Sequence, residues 1–218
     1  MKKEIGKHVG AAVCMFAAFA LWTAAVCRVD VQSIGPEGSR VGLATINGLI
    51  HRWTGVHMIL YTLTDWLSLI PLGIAAGFAL LGFAQWIRRR SLWKVDRSLY
   101  ALGGFYLAVM AAYMFFEGQV VNYRPVLIEG RLEASYPSST TMLVLCVMAT
   151  AGMQLKTRIR NRWIRRCIAF LSTVFSALMI VGRLLSGVHW FSDIVAGVLL
   201  GAGFIEIYAA ASMQSQCE

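Results

Sequence analysis

Long runs of mostly apolar residues are the feature that most constrains how this chain can fold. A helix needs about 20 apolar residues to cross the roughly 30 Å hydrocarbon core of a bilayer. Hydrophobic residues make up 58% of the chain and charged residues only 14%, whereas an average soluble domain has about 25% charged residues. We therefore predict an all-α integral membrane protein. The six predicted spans cover approximately residues 9–26, 58–87, 98–117, 140–154, 167–185 and 191–211.

These spans predict a six-transmembrane-helix bundle that forms a single domain over residues 1–218. A short amphipathic helix from Leu43 to Trp53 is expected to lie in the membrane interface before the second span. The first run has the charge pattern of a cleaved signal, but it is also long enough to span, and we interpret it as a transmembrane helix.

The basic residues predict the orientation of the bundle. Fourteen of the 20 Lys and Arg residues fall in segments 1–7, 88–97 and 156–166. Short loops rich in Lys and Arg mark the cytoplasmic side, so both termini are predicted to be cytoplasmic. The same clustering in loops argues against nucleic acid as a partner, despite the net charge of +9.

The polar stretch from Gly182 to Asp193 separates the last two spans, on the side predicted to face outside. Ser186-Gly187 is typical of a helix end, and the next helix is expected to begin near Trp190. His189 and Asp193 are then four residues apart at the start of a helix, where the carboxylate can reach the imidazole. Arg183 lies on the last turn of the preceding helix. A cation, an imidazole and a carboxylate at a helix N-terminus suit a phosphate group.

Two further polar stretches fall on the same predicted side, residues 117–125 after the third span and residues 136–141 at the start of the fourth. Together with 182–193 they resemble the three-part signature of the type 2 phosphatidic acid phosphatase (PAP2) superfamily: Lys-x6-Arg-Pro, Pro-Ser-Gly-His and Ser-Arg-x5-His-x3-Asp. The resemblance covers roughly residues 50–210. It implies a PAP2-type membrane fold and a lipid phosphatase whose site faces outside.

The resemblance also implies roles for individual residues. His189 corresponds to the histidine that accepts the phosphoryl group, and Asp193 to the aspartate that orients it. The phosphate-binding positions correspond to Arg124, Arg183, Ser138 and Ser139. Independently of the family, neutral imidazole attacks phosphorus only when its other nitrogen is held as a donor. Arginines and a helix N-terminus can stabilise charge on the phosphate oxygens.

Two positions depart from the family pattern. Glu117 stands seven residues before Arg124, where the family has lysine, and Thr140 stands where the second motif has histidine. In the family that histidine is the general acid, and its loss typically lowers a rate about 10²- to 10⁴-fold. A diphosphate hardly needs such an acid, because its leaving phosphate has a pKa of about 6. The departure therefore favours a lipid diphosphate, such as a polyprenyl diphosphate.

The predicted role of Glu117 stays open between an ion pair with Arg124 or Arg183, proton transfer as a neutral acid, and contact with lipid headgroups. Tyr123 and Tyr136 are predicted to flank the site as its walls or as interfacial aromatics. Asp65, inside the second span, is expected to cap, pack or take part in function. Glu133 is expected to be solvated.

The sequence thus predicts a phosphatase that acts on a phosphorylated membrane lipid through a phosphohistidine. The sequence has no cluster of Asp and Glu residues that would suggest a metal site, so we expect metal-independent chemistry without a cofactor. Two alternatives stay open: a lipid phosphotransferase with a lipid or glycan acceptor, and a catalytically degenerate lipid-binding or scaffold protein. The oligomeric state does not follow from the sequence.

Overall fold

The computed structural model describes residues 1–214, in which every regular element is a helix. This confirms the prediction of an all-α fold. Two short 3₁₀ turns, at Pro36–Gly38 and Leu92–Lys94, accompany the α-helices. The eight α-helices are α1 (Lys2–Arg28), α2 (Ala44–Thr54), α3 (Met58–Leu67), α4 (Leu69–Arg89), α5 (Arg97–Gly118), α6 (Ser139–Arg158), α7 (Arg162–Leu185) and α8 (Phe191–Gln214).

Five helical segments of the described chain are long and apolar enough to cross a membrane: α1, α3 together with α4, α5, α7 and α8. The protein is thus an integral membrane protein by its helices. The predicted fourth span is α6, whose 20 residues include the buried polar side chains of Thr150 and Gln154. It packs against α4, α5, α7 and α8. Because neighbouring helices cover so much of it, α6 has less need of apolar side chains than a helix that faces lipid.

The second predicted span is interrupted at Ser68, between α3 and α4. Pro71 lies in the first turn of α4 and has no N–H to donate to the carbonyl of Leu67. Ser68 occupies the junction, and its hydroxyl donates to the carbonyl oxygen of Asp65 at 2.5 Å. Helix α3 packs against α7 near the end of α7, where Thr64 lies beside Gly182.

Close packing between α6 and α8 fixes the starts of both helices relative to each other. A Cβ on Gly197 would lie 2.7 Å from the carbonyl oxygen of Ser138, so only glycine permits this approach. The backbone N–H of Ser138 also donates to the carbonyl oxygen of Asp193 at 3.0 Å. On its other side α8 packs along α1, where Trp22 Nε1 donates to the carbonyl oxygen of Ser192 at 3.0 Å.

The predicted interfacial helix is present as α2, with bounds within a residue of those expected. Its buried Asn47 contacts the start of α8: Asn47 Oδ1 accepts from the backbone N–H of Ser192 at 3.0 Å. A second connection, the loop from α5 to α6, folds back on itself as a short hairpin. Its arms pair through the backbone of Tyr123 and Ala134.

Candidate active site

The turn between α7 and α8 holds the central histidine in place. Gly187 has a φ of +70°, and a Cβ there would lie 1.9 Å from the carbonyl oxygen of Gly55. Glycine is therefore required both by the left-handed backbone and by the close approach. The backbone N–H of His57 donates to the carbonyl oxygen of Ser186 at 3.0 Å, which ties the same turn to the start of α3. His189 follows this turn and is 3% exposed.

The hairpin before α6 supplies the second half of the site. Arg124 N donates to the carbonyl oxygen of Glu133 at 3.0 Å, and Ser135 N donates to that of Asn122 at 2.9 Å. Side chains alternate between the two faces of an extended arm, and residues paired across the arms share a face. The side chains of Asn122, Arg124, Glu133 and Ser135 therefore lie on one face, and this face meets the start of α8.

Both nitrogens of the His189 imidazole are engaged. Nε2 lies 3.2 Å from Arg124 Nη1 and 3.1 Å from Arg183 Nη2. Nδ1 lies 3.0 Å from the hydroxyl oxygen of Ser135. Guanidinium groups can only donate, so Nε2 must be the unprotonated nitrogen and Nδ1 must carry the hydrogen. The unprotonated nitrogen thus faces two cations.

Asp193 reaches the imidazole through Ser135 instead of by direct contact. Asp193 Oδ2 is 3.9 Å from His189 Nδ1, which is too far for a hydrogen bond. The Ser135 hydroxyl lies between them and donates to Asp193 Oδ2 at 2.5 Å while it accepts from Nδ1–H. Asp193 is fully buried and also accepts from the backbone N–H of Trp190 at 2.9 Å and from Asn122 Nδ2 at 3.3 Å.

The surroundings of His189 keep the imidazole neutral. Burial lowers its pKa well below 6.5, and the charges of Arg124 and Arg183 lower it further. Each of the two cations also has an acidic neighbour. Arg124 Nε lies 3.0 Å from Glu133 Oε2, and Arg183 Nη1 lies 3.9 Å from Asp65 Oδ1.

Several buried donors near the histidine have no hydrogen-bond partner among residues 1–214. Arg183 is 2% exposed, yet its Nε and Nη1 have no acceptor within hydrogen-bond distance. The hydroxyl of Ser138, immediately before α6, is equally buried and unpaired. Such groups are costly to leave unsatisfied in a protein interior. A bound anion would satisfy them.

A cavity of about 440 Å³ opens onto His189 between the end of α5 and the hairpin. Arg124, Ser139 and Glu117 line it, and so do the two tyrosines predicted to flank the site, Tyr123 and Tyr136. The Tyr136 hydroxyl turns away to Thr23 Oγ1 at 2.7 Å.

The two positions that depart from the family pattern have different places in the structure. Glu117 lies at the exposed mouth of the cavity and pairs with neither arginine among the described residues. Thr140 does not line the cavity. Arg183 and Ser138 do not line it either, so Arg124 and Ser139 are the predicted phosphate-binding residues that border the cavity directly.

The structure adds residues that the sequence analysis did not assign to the site. Ser135 joins the imidazole to the carboxylate, and Asn122 and Asn47 support the start of α8. Glu133 contacts Arg124, and its side chain is also 42% exposed, as expected for a solvated residue. Asp65 is the acidic neighbour of Arg183. Among residues 1–214, no group of three His, Cys, Asp or Glu side chains could hold a metal ion.

Comparisons with known proteins agree with the resemblance in the motifs. Residues 115–216 match the PAP2 superfamily, which confirms that resemblance over this part of the chain. No curated protein matches the sequence. The fold is similar to that of a transmembrane PAP2 type phosphatidylglycerolphosphate phosphatase from Bacillus subtilis, with a TM-score of 0.57 and 16% sequence identity. The alignment covers 95% of this chain and 98% of that protein, so the likeness extends over the whole fold.

Proposed function

We propose that the chain, whose residues 115–216 match the PAP2 superfamily, is a phosphatase of phosphorylated membrane lipids. The observation that carries the proposal is the position of His189 Nε2, which lies 3.2 Å and 3.1 Å from two guanidinium groups. Two cations beside an uncharged nucleophile suit a phosphoryl group that must be bound and then attacked.

In the resting site both arginines donate to the nitrogen that would attack. A phosphate group that enters the cavity offers these donors stronger, charged acceptors. When the guanidinium groups turn to the phosphate oxygens, the lone pair of Nε2 is released toward phosphorus. Substrate binding and activation of the nucleophile are then the same event.

The reaction has two steps. In the first, the lone pair of Nε2 forms a bond to phosphorus while the bond from phosphorus to the leaving oxygen breaks. In a lipid diphosphate this is the bridging oxygen, which leaves with the lipid monophosphate; in a lipid monophosphate it is the oxygen of the lipid alcohol. The imidazole gains positive charge, and Asp193 stabilises it through the Ser135 hydroxyl. In the second, water attacks phosphorus, the N–P bond breaks, and phosphate leaves with the neutral histidine restored. Arg124, Arg183, Ser138 and Ser139 hold the oxygens in both steps.

The preferred substrate is proposed to be a lipid diphosphate, such as a polyprenyl diphosphate. The first step needs a proton on the leaving oxygen only when that oxygen is strongly basic. Thr140 is a weak acid that does not line the cavity. Glu117 and Glu133 both line it, and for a lipid monophosphate the proposed proton transfer to the alkoxide falls to Glu117.

The site is proposed to face outside, with both termini in the cytoplasm. The support is the excess of Lys and Arg in segments 1–7, 88–97 and 156–166. All three lie at the end of the bundle away from His189. Reporter proteins fused at the C-terminus test this orientation. If the terminus is cytoplasmic, a fused alkaline phosphatase is inactive and a fused fluorescent protein is fluorescent.

A panel of lipid monophosphates and diphosphates given to the purified protein tests the function, with wild type beside His189→Ala and a chelator present. We expect wild type to release phosphate, fastest from diphosphates, and the variant to release none. A phosphorylated lipid or glycan product would instead identify a phosphotransferase. Binding of lipid phosphate without turnover in wild type would identify a non-catalytic binding protein.

A further inference from the structure

A groove runs between α6 and α7 at the end of the bundle away from His189. Its volume is about 770 Å³. The catalytic cavity borders the start of α6, whereas the groove borders its last turns, and a helix of 20 residues is about 30 Å long. The groove extends along α6 from Leu145 to Lys156 and opens at the end of the bundle away from His189. No residue lines both spaces, and the groove takes no part in the proposed reaction.

The walls of the groove are apolar, and the space between them is unfilled. Small residues on both helices leave the space open, with Ala149 and Gly152 on α6 and Ala169 and Ala177 on α7. A Cβ built on Gly152 meets no atom within 4 Å, so the groove is empty at that position. Larger apolar side chains complete its walls: Leu145, Met148, Met153, Leu155, Ile168 and Ile180.

Four basic side chains line one end of this apolar space, Lys156 on α6 and Arg162, Arg165 and Arg166 on α7. Arg165 Nη1 donates to the carbonyl oxygen of Lys156 at 3.3 Å, which holds its guanidinium at the mouth. The guanidinium of Arg166 lies 5.5 Å from the ring centre of Trp163.

These four cations differ from others at the same end of the bundle. Arg89 and Arg158 both pair with Asp96, at 3.1 Å and 3.7 Å. None of the groove cations forms an ion pair within residues 1–214. An excess of positive charge in this loop agrees with membrane orientation, but orientation does not require the charges to line a groove.

We propose that this groove binds an anionic phospholipid, with its acyl chains between α6 and α7 and its headgroup phosphate on Arg165, Arg166 and Lys156. Apolar walls that end in uncompensated cations match a molecule with a long apolar part and an anionic head. A soluble anion would leave the walls uncovered, and a zwitterionic lipid would leave the cations uncompensated. The proposal is independent of the function of His189.

The test measures the preference of the reconstituted protein for spin-labelled phosphatidylglycerol over spin-labelled phosphatidylcholine by electron paramagnetic resonance. Two double variants remove equal charge: Arg165→Gln with Arg166→Gln at the groove, and Arg88→Gln with Arg90→Gln away from it. We expect wild type to prefer phosphatidylglycerol over phosphatidylcholine. This preference should fall about tenfold in the groove variant and stay unchanged in the control. Equal losses in both variants would overturn the proposal, because they would indicate general attraction to a basic surface.

A steric variant separates a bound lipid from simple charge attraction. Gly152→Leu places a side chain in the empty part of the groove and leaves every cation in place. Leucine is a better helix former than glycine, so α6 is not weakened. We expect loss of the phosphatidylglycerol preference with an unchanged unfolding temperature. Retention of the preference, or its displacement by inorganic phosphate, would contradict an acyl chain seated between the helices.

Discussion

Replacement of Ser135 by alanine tests the way in which the carboxylate controls the imidazole. Among residues 1–214, the Ser135 hydroxyl is the only group within hydrogen-bond distance of His189 Nδ1. In Ser135→Ala, Asp193 keeps its bonds to Trp190 N at 2.9 Å and to Asn122 Nδ2 at 3.3 Å, so it stays in place. Nδ1–H is then buried without an acceptor.

The expected size of the effect follows from that orphaned donor. An unsatisfied buried donor costs about 1–3 kcal/mol, and each 1.36 kcal/mol of barrier is a factor of ten in rate. If the whole penalty falls on the attacking orientation of the ring, kcat decreases roughly 5- to 150-fold. KM changes little, because the contacts of Arg124 and Arg183 are untouched.

Steady-state kinetics on the best substrate of the lipid panel, with Ser186→Ala as the matched control, measure this effect. Ser186 is also fully buried, but its hydroxyl donates to the carbonyl oxygen of Arg183 at 2.7 Å and does not contact the imidazole. The control is expected to keep its kcat. An equal kcat in Ser135→Ala and wild type would refute the reasoning, because the carboxylate would then orient the ring without the hydroxyl.

Three further predictions concern charges around the histidine. Asp193→Asn removes the buried carboxylate that stabilises the phosphorylated imidazole, and we expect single-turnover rates about 10²- to 10⁴-fold lower; a rate near wild type would contradict this role. Glu133→Gln removes the ion pair 3.0 Å from Arg124, so inorganic phosphate should inhibit about two- to fivefold more strongly; weaker inhibition would show that Glu133 orients the arginine for phosphate. Because the pKa of His189 is lowered, its imidazole takes up a proton only well below pH 6.5. Nitrogen-15 NMR should therefore show a neutral ring as the pH falls through 6.5. Protonation near pH 6.5 would contradict the proximity of the two arginines.

The helices could be predicted from the sequence because each membrane span has a strong local signal. At the site, the apolar runs predicted the end of α7 at Leu185 and the start of α8 at Phe191, and the helices have these bounds. The inner ends were less certain. The fourth span was predicted to end near Gln154, and α6 continues about one turn further into the basic segment, to Arg158. There Gln154 Nε2 donates to the carbonyl oxygen of Ser98, and Arg158 pairs with Asp96. Tertiary partners of this kind do not appear in hydropathy.

The candidate site could be predicted only where its residues are close in sequence. Arg183, His189 and Asp193 lie on two helix ends and the turn between them, so their spacing alone brings them together. Ser135 and Glu133 reach the same place because the arms of a short hairpin pair, and arms this short carry no readable alternation. The stretch 117–125 therefore indicated a motif, but not which residues would oppose it.

The route from carboxylate to imidazole shows the same limit. A helix places residues four apart on one face, so Asp193 was expected to reach His189 directly. Trp190 N and the Ser135 hydroxyl instead take Asp193 Oδ2, and the ring nitrogen lies 3.9 Å away. Helical spacing brought the two side chains near each other, but it could not reveal that a serine from another segment lies between them.

The central claim is that His189 accepts the phosphoryl group, and trapping that intermediate tests it most directly. Protein mixed with a radiolabelled lipid phosphate is quenched under alkaline conditions during the first turnover, and the labelled residue is located by mass spectrometry. The account predicts an acid-labile phosphoryl group on His189 in wild type and no label in His189→Gln. Turnover without a labelled protein, or a label that persists in His189→Gln, would contradict it.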